Sequence, residues 1–554
     1  MRQPQGIALV VTLAILVAVA LMAFATSVTT MVSQWSARNE RGVTEAYYVA
    51  ETGLQQWKTR LFQTYRWQLY QTVSNFSGSR TPTRSECGNV LAGGVDWNRN
   101  GTIESNETLP TTRTGSVPMG TGTYTITVAQ DPTRPRFMLV RSVGRFNGSQ
   151  AIAQATFDLS NTGPWNYAIF SGRGAANKHL NGGATIRGGL YVQGQSSDPD
   201  RSVIDSNGNF ALYNDYNYTS DNVFGSRLNS DMRSLANLCA TLRVQYGRVE
   251  VSGSSSYGTP SNPLLGAYVG DAVNDIYGNT SSVCAANRGI CTDDRGAFDL
   301  PPALAPRFPE FNSTPCTTNP SRSWAACVRD EAAERGIRIT STSILFPLGA
   351  LPVSPLSCVT GNVLSGGTLR FGNTSMDCRY TLNGRTGGFR YIAGNPGTLE
   401  IYGTLHTSGI NVSFDNAVNY QAFDFTNPTE RNASIFVEGG SITLNRDVLP
   451  DASSATFPNQ VLGLLAQNNI EQLTNNAMGI FYAGGRFRTQ RNQRTLGTVV
   501  TNEFCTTSAG GNQCNAGQQA EVTYVPTMGN IPVAAQIPED TIVASFKIMS
   551  YERR

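Results

Sequence analysis

The chain has 554 residues, 40% of them hydrophobic and only 15% charged, with a formal net charge of +3. So small a net charge excludes a protein that holds nucleic acid through overall basicity. Lys58, Lys178 and Lys547 are the only lysines beside 39 arginines, so cationic recognition must come from local arginine patches, while the 55 glycines point to short strands and turns in a chain long enough for two or more domains.

Met1 to Gly6 precede an uncharged run that extends without interruption from Ile7 to Ala37. That exceeds the roughly 20 residues needed to cross a bilayer. Read as a secretory signal, Arg2 would be its basic region and Ala23-Phe24-Ala25 its cleavage site. The run before Ala23 is long for that role, and the sequence beyond it does not change character as a mature N-terminus does. From Val43 the apolar positions Tyr47, Ala50, Leu54, Trp57, Leu61, Tyr65 and Leu69 recur at spacings of three and four, one face of a helix. No proline interrupts Ile7 to Tyr70, so one helix over residues 7–71 is predicted, about 90 Å long at 1.5 Å per residue.

A polar leader ending in glycine, then Ile7-Ala8-Leu9-Val10-Val11, and further on Glu45-Ala46-Tyr47-Tyr48-Val49-Ala50-Glu51-Thr52-Gly53-Leu54, resembles the N-terminus of type IV minor pilins of the PilX type. The resemblance implies cleavage by a prepilin peptidase between Gly6 and Ile7, with methylation of the new N-terminus. It also implies residence in the inner membrane as a precursor and later packing with major and minor pilins in a filament at the cell surface. Pilins of this kind usually carry Glu as the fifth residue after the cut, where this chain has Val11. That carboxylate would neutralise the buried amine of a neighbouring subunit, since an unpaired charge in an apolar core is costly. A subunit without it is better suited to the filament tip than to its repeat.

Residues 72–160 are expected to form the pilin head. Within them, Asp96-Trp97-Asn98-Arg99-Asn100-Gly101-Thr102-Ile103-Glu104-Ser105-Asn106-Glu107 satisfies D-x-[DN]-x-[DN]-G-x5-E. Asp96, Asn98, Asn100, the Thr102 carbonyl, Glu104 and a bidentate Glu107 would ligate Ca2+ and stiffen a long loop. The alternative is a solvated Asn-Gly turn. Thr123 to Ala129, Phe137 to Val143 and Ala151 to Leu159 read as a three-stranded meander.

Residues 161–538 are too many for a pilin head. Short apolar runs recur between Gly and Asn turns, and Ile442, Leu462, Phe481 and Val499 follow one another at intervals of roughly 20 residues. Coils of that length predict a β-solenoid, each rung burying its apolar side chains against the next. Helical inserts are predicted near Leu228 to Val244 and Ser323 to Arg335, and a connecting passage at Pro301 to Pro309. The final residues, 539–554, read as a strand returning to the pilin sheet. The fold class is therefore α+β: a long N-terminal helix on an antiparallel sheet, the type IV pilin fold by resemblance, with a large inserted β-solenoid. This layout resembles that of large competence minor pilins implicated in natural transformation.

Ten cysteines suit an oxidising compartment. Short loops would be closed by Cys284 with Cys291, Cys316 with Cys327, Cys358 with Cys378 and Cys505 with Cys514, leaving Cys87 and Cys239 as candidates for a long-range pair. Zinc is the rival reading, but no C-x-x-C spacing occurs and His179 and His406 are the only histidines.

No P-loop, G-x-S-x-G or H-E-x-x-H motif is present, so no catalytic residue is assigned and Asp293-Asp294 reads as a turn. Binding is the better expectation. Arg486, Arg488, Arg491 and Arg494 lie in a stretch without an acidic residue, and on a strand Arg486 and Arg488 would share the face opposite Phe487. Arg379, Arg385, Arg390 and Tyr391 form a second cluster in which arginine and aromatic rings alternate, suited to phosphates and exposed bases. The bland alternative is a solvated face whose arginines pair with distant acids. The function expected is capture of extracellular DNA for uptake; the rivals are a tip adhesin and a secretion pseudopilin lacking the same glutamate.

Overall fold

The computed structural model describes residues 5–64, 112–116, 122–130, 137–158, 160–161, 163–175, 179–180, 183–206, 208–270, 276–278, 284, 289–292, 295–296, 298, 305–316, 319, 321–354, 358, 366–427, 431–453, 457–507, 514, 520–525, 544–545 and 548–553. They fall into two units, one holding the described residues within 5–64, 112–158 and 548–553, the other those within 160–545. The second unit is thus inserted in the sequence of the first.

The first unit is built on one helix, Gln5–Thr64, of 60 residues. Its apolar half is long enough to cross a membrane and has mean hydropathy 2.7 over its most apolar window. Thr26, Thr29, Thr30 and Ser33 return their hydroxyls to carbonyls one turn earlier, which hides these polar groups inside the helix. The second half buries Ala46, Val49, Ala50 and Leu54. That line runs through small residues beside the anticipated Tyr47, which stays half-buried. The reason is close approach to the sheet: a Cβ at Gly144 would lie 2.1 Å from the Ala46 carbonyl oxygen and 2.4 Å from the Ala50 nitrogen.

The sheet is antiparallel, in the order Thr112–Ser116, Thr123–Gln130, Phe137–Phe146, Ser149–Asp158, Ile548–Arg553. The central hairpin turns at Asn147-Gly148, both with positive φ (46° and 83°), the geometry a two-residue turn between twisted strands requires. The first strand, Thr112–Ser116, has no counterpart in the sequence reading; its residues TRTGS carry no apolar alternation.

The second unit is a stack of parallel strands wound in coils, a β-solenoid. One buried ladder shows it: Ile337, Leu405, Ile435, Leu464, Phe481, Val499, Ile169, Leu190, Leu242 and Ala267 each pair in register with the next. A second ladder runs Val412, Ile442, Ile470, Phe487, Phe504. Stacked aromatic and aliphatic rows of this kind bury each coil against its neighbours.

The coils do not keep the single period that the sequence suggests. Along the first ladder, Leu405 to Ile435 and Ile435 to Leu464 are long coils, whereas Leu464 to Phe481 and Phe481 to Val499 are much shorter. Phe481 does oppose Val499, but Leu462 opposes Ala433 and Ile442 lies on the other ladder. Two long strands, Asn476–Gln490 and Arg494–Thr507, bend through successive faces without a loop, which keeps these coils short.

Chain order and stacking order also differ. Ile169–Ala175, the first long strand of the unit, pairs with Arg494–Thr507, near its end. The chain therefore enters at mid-stack, builds one arm, and begins the other arm at its far end, from Ile337–Thr340 and Thr368–Phe371 inward. The connection between arms includes Ala305 to Cys316 and the helix Trp324–Arg335, capped by the Ser323 hydroxyl. Leu228 to Val244 is not helical: it holds a 3-10 turn at Ser230–Met232 and strands at Ser234–Leu235 and Thr241–Val244. There Asn214 Oδ1 accepts from the Leu238 and Ala240 amides, and Asn237 Oδ1 from the Cys239 amide, bonds that displace helical ones.

Four disulfides join Cys284 to Cys291, Cys316 to Cys327, Cys358 to Cys378 and Cys505 to Cys514. Cys239 is also disulfide-bonded. Cys87 and the loop Asp96, Asn98, Asn100, Thr102, Glu104 and Glu107 lie outside the described residues, as do Asp293 and Asp294.

Candidate nucleic-acid interface

The strand Asn476–Gln490 alternates as anticipated around Phe487, which is fully buried between outward-facing Arg486 and Arg488. The arginines are not free, however. Arg486 Nη2 donates to Glu503 Oε2 at 2.8 Å, and Arg488 Nη2 to Glu471 Oε2 at 2.8 Å, with the Arg488 side chain only 11% exposed. Both acids stand one short coil away in sequence and directly opposite in register. A stretch without acids in the sequence is thus a cross-coil ion-pair row in the fold.

Arg494 is pinned as well. It pairs with Asp221, donates to Asn476 Oδ1 at 2.9 Å, and lies 4.3 Å over the Phe224 ring. Burial would raise the Asp221 pKa, but bonds from the Phe224 and Val223 amides and from Arg494 hold it below the ordinary value. Arg491 alone of this group is exposed without an acidic partner among the described residues.

The second cluster behaves likewise. Arg379 grips Asp377 through Nε and Nη2 at 2.9 and 2.8 Å, a bidentate contact that raises its own pKa and lowers that of Asp377. Arg390 lies 3.9 Å from Glu400. Tyr391 is fully buried, its hydroxyl donating to the Gly372 carbonyl at 2.8 Å, so it offers no stacking face. Arg385, at the tip of a hairpin, is exposed and has no acidic partner among the described residues.

Other exposed or half-buried groups were not singled out by the sequence. Tyr402 and Phe423, half-buried on adjacent coils, stack at 4.6 Å and 10°, with exposed Arg431 4.4 Å over Phe423. Arg446 is exposed without an acidic partner among the described residues, two positions beyond Leu444, just as Arg491 is two beyond Thr489. Since Leu444, Gln472 and Thr489 pair in turn, Arg446 and Arg491 share one corner of the solenoid two coils apart, about 10 Å at the spacing of neighbouring strands. The signal that finds these residues is coil length, which sets who faces whom.

The family model described as PilX N-terminal matches residues 5–55. No curated protein sequence matches. Among solved structures, the crystal structure of the competence-associated pilin ComZ from Thermus thermophilus matches with a TM-score of 0.65 and 35% identity, over 93% of this chain and 97% of that one. The chain belongs to the type IV pilins. In this pilin the family match covers the anchor helix, and the likeness to ComZ extends over most of the remaining chain, including most of the solenoid.

Proposed function

We propose that this pilin is a competence-associated minor pilin that sits at or near the filament tip and contacts extracellular DNA through its solenoid. The observation that carries the reading is the likeness, across 93% of the chain, to a pilin described as competence-associated. Support for a contact surface comes from the arginines without acidic partners, Arg385, Arg446 and Arg491, and from the Tyr402–Phe423–Arg431 stack. Free guanidiniums suit phosphates, and a half-exposed ring stack suits unpaired bases. Paired arginines such as Arg486 and Arg488 serve the stack of coils instead.

Placement at the tip rests on Val11: a neighbour's N-terminal amine would find no carboxylate there. Processing between Gly6 and Ile7 by a prepilin peptidase belongs to the same reading, and so does Ca2+ in the loop from Asp96 to Glu107, which rests on the sequence pattern. Deleting the chain in its parent organism tests the reading. Loss of transformation with filaments retained supports capture, whereas loss of filaments as well assigns it to assembly and loss of neither contradicts it. Loss of attachment with transformation intact would indicate an adhesin, and loss of protein export a secretion pseudopilin.

A further inference from the structure

A groove of about 670 Å³ opens on the solenoid where Ile169–Ala175 stacks on Arg494–Thr507. Its construction centres on Asn502. The register between these two strands shifts between Thr501 and Glu503, so Asn502 faces Gly172 and Arg173 together. On the opposite coil the register shifts between Ala483 and Arg486, setting Gly484 and Gly485 against the same residue. Bulges of this kind re-aim side chains and cluster at binding sites. Gly172 leaves the room required: a Cβ there would lie 2.5 Å from Asn502 Oδ1 and 3.0 Å from the Phe308 ring.

The facing wall is the connection between the two arms. It is fastened at three points: Tyr191 donates to the Pro306 carbonyl at 2.9 Å, the Phe308 amide to Gln193 Oε1 at 2.5 Å, and Tyr482 to the Pro309 carbonyl. Phe308 stacks on Tyr482 at 5.7 Å and stays half-buried at the groove. Exposed Arg307 has no acidic partner among the described residues, and Arg173, 54% exposed, is 3.9 Å from Glu503.

We propose that this groove binds an acidic saccharide. The side-chain amides of Gln195 and Asn502 supply donors and acceptors in the lining, and Gln193, its Oε1 held by the Phe308 amide, adds an NH2 donor, a combination that vicinal sugar hydroxyls require. Phe308 provides an apolar surface for ring C–H groups, and Arg307 a partner for one carboxylate. Glu310 and Glu503 interrupt the positive potential, which disfavours the continuous phosphates of nucleic acid. The inference stands apart from the DNA reading, since none of its residues belongs to that surface.

The test is fluorescence polarisation of a labelled oligogalacturonate with the full chain in detergent. Binding is expected to weaken by about tenfold or more in Arg307→Ala and in Asn502→Ala, to persist in Arg491→Ala, and to be at least about tenfold weaker for an uncharged oligogalactose. Equal melting temperatures would show that the variants fold. Absence of binding, equal binding by the variants, or equal binding of the uncharged sugar would overturn the proposal. Displacement of the sugar by duplex DNA from wild type but not from Arg307→Ala would overturn it too, reassigning the groove to nucleic acid.

Discussion

Glu331 carries one carboxylate oxygen that is buried and without a hydrogen-bond partner. Burial raises its pKa to about 7, against the opposing pull of Thr404 and Arg335. The folded state then holds a proton that the unfolded state has released, so stability falls as pH rises from the ordinary carboxylate value toward 7. Glu331→Gln should raise the melting temperature more at pH 8 than at pH 5, read by scanning calorimetry. His406 has the opposite sign. Burial lowers its pKa, outweighing Glu438, which accepts from Nε2 at 3.0 Å. Stability from the neutral ring is therefore lost as pH falls below the ordinary histidine value. A third residue-scale expectation concerns Asp96 and Glu107: thermal stabilisation by calcium should vanish in Asp96→Ala/Glu107→Ala, and equal melting of wild type with and without chelator would remove the metal from the account.

Elements were legible where one period governed them. The first helix and the meander from Thr123 to Asp158 follow from apolar spacing and strand-forming runs, and they stand as Gln5–Thr64 and three long strands; the helical insert expected near Ser323 to Arg335 stands as Trp324–Arg335. The solenoid was legible only as a class. Its coils run from the short step between Leu464 and Phe481 to the far longer one between Leu190 and Leu242, and its first strand stacks on one near the end of the unit. Neither the register nor the facing residues follow from a fixed period in such a stack. That is why Arg486 and Arg488 read as a free stripe when Glu503 and Glu471 sit opposite them. The packing of helix on sheet makes a prediction at this scale. Gly144→Val places carbon against the Ala46 and Ala50 backbone and should cost roughly 2–4 kcal/mol, or prevent folding of the head, measured by thermal or denaturant unfolding. In the solenoid, Leu464→Ala should cost about 2–5 kcal/mol, since the residue is buried in the ladder.

The whole molecule joins an anchor helix that lacks the usual carboxylate to an inserted solenoid of its own topology. If Val11 restricts the subunit to the tip, Val11→Glu should let labelled subunits appear along filaments, visible by immunogold; labels confined to the ends in both proteins would separate position from this residue. Contact between the solenoid and DNA should show in the salt dependence of duplex binding by the full chain. The slope of log K against log salt falls by about 0.9 for each phosphate contact removed. Arg446→Ala/Arg491→Ala should flatten the slope by nearly two and weaken binding, while Arg486→Ala/Arg488→Ala should change it far less. An unchanged slope in the first variant, or no binding at low salt by the wild type, would rule out DNA contact through these arginines.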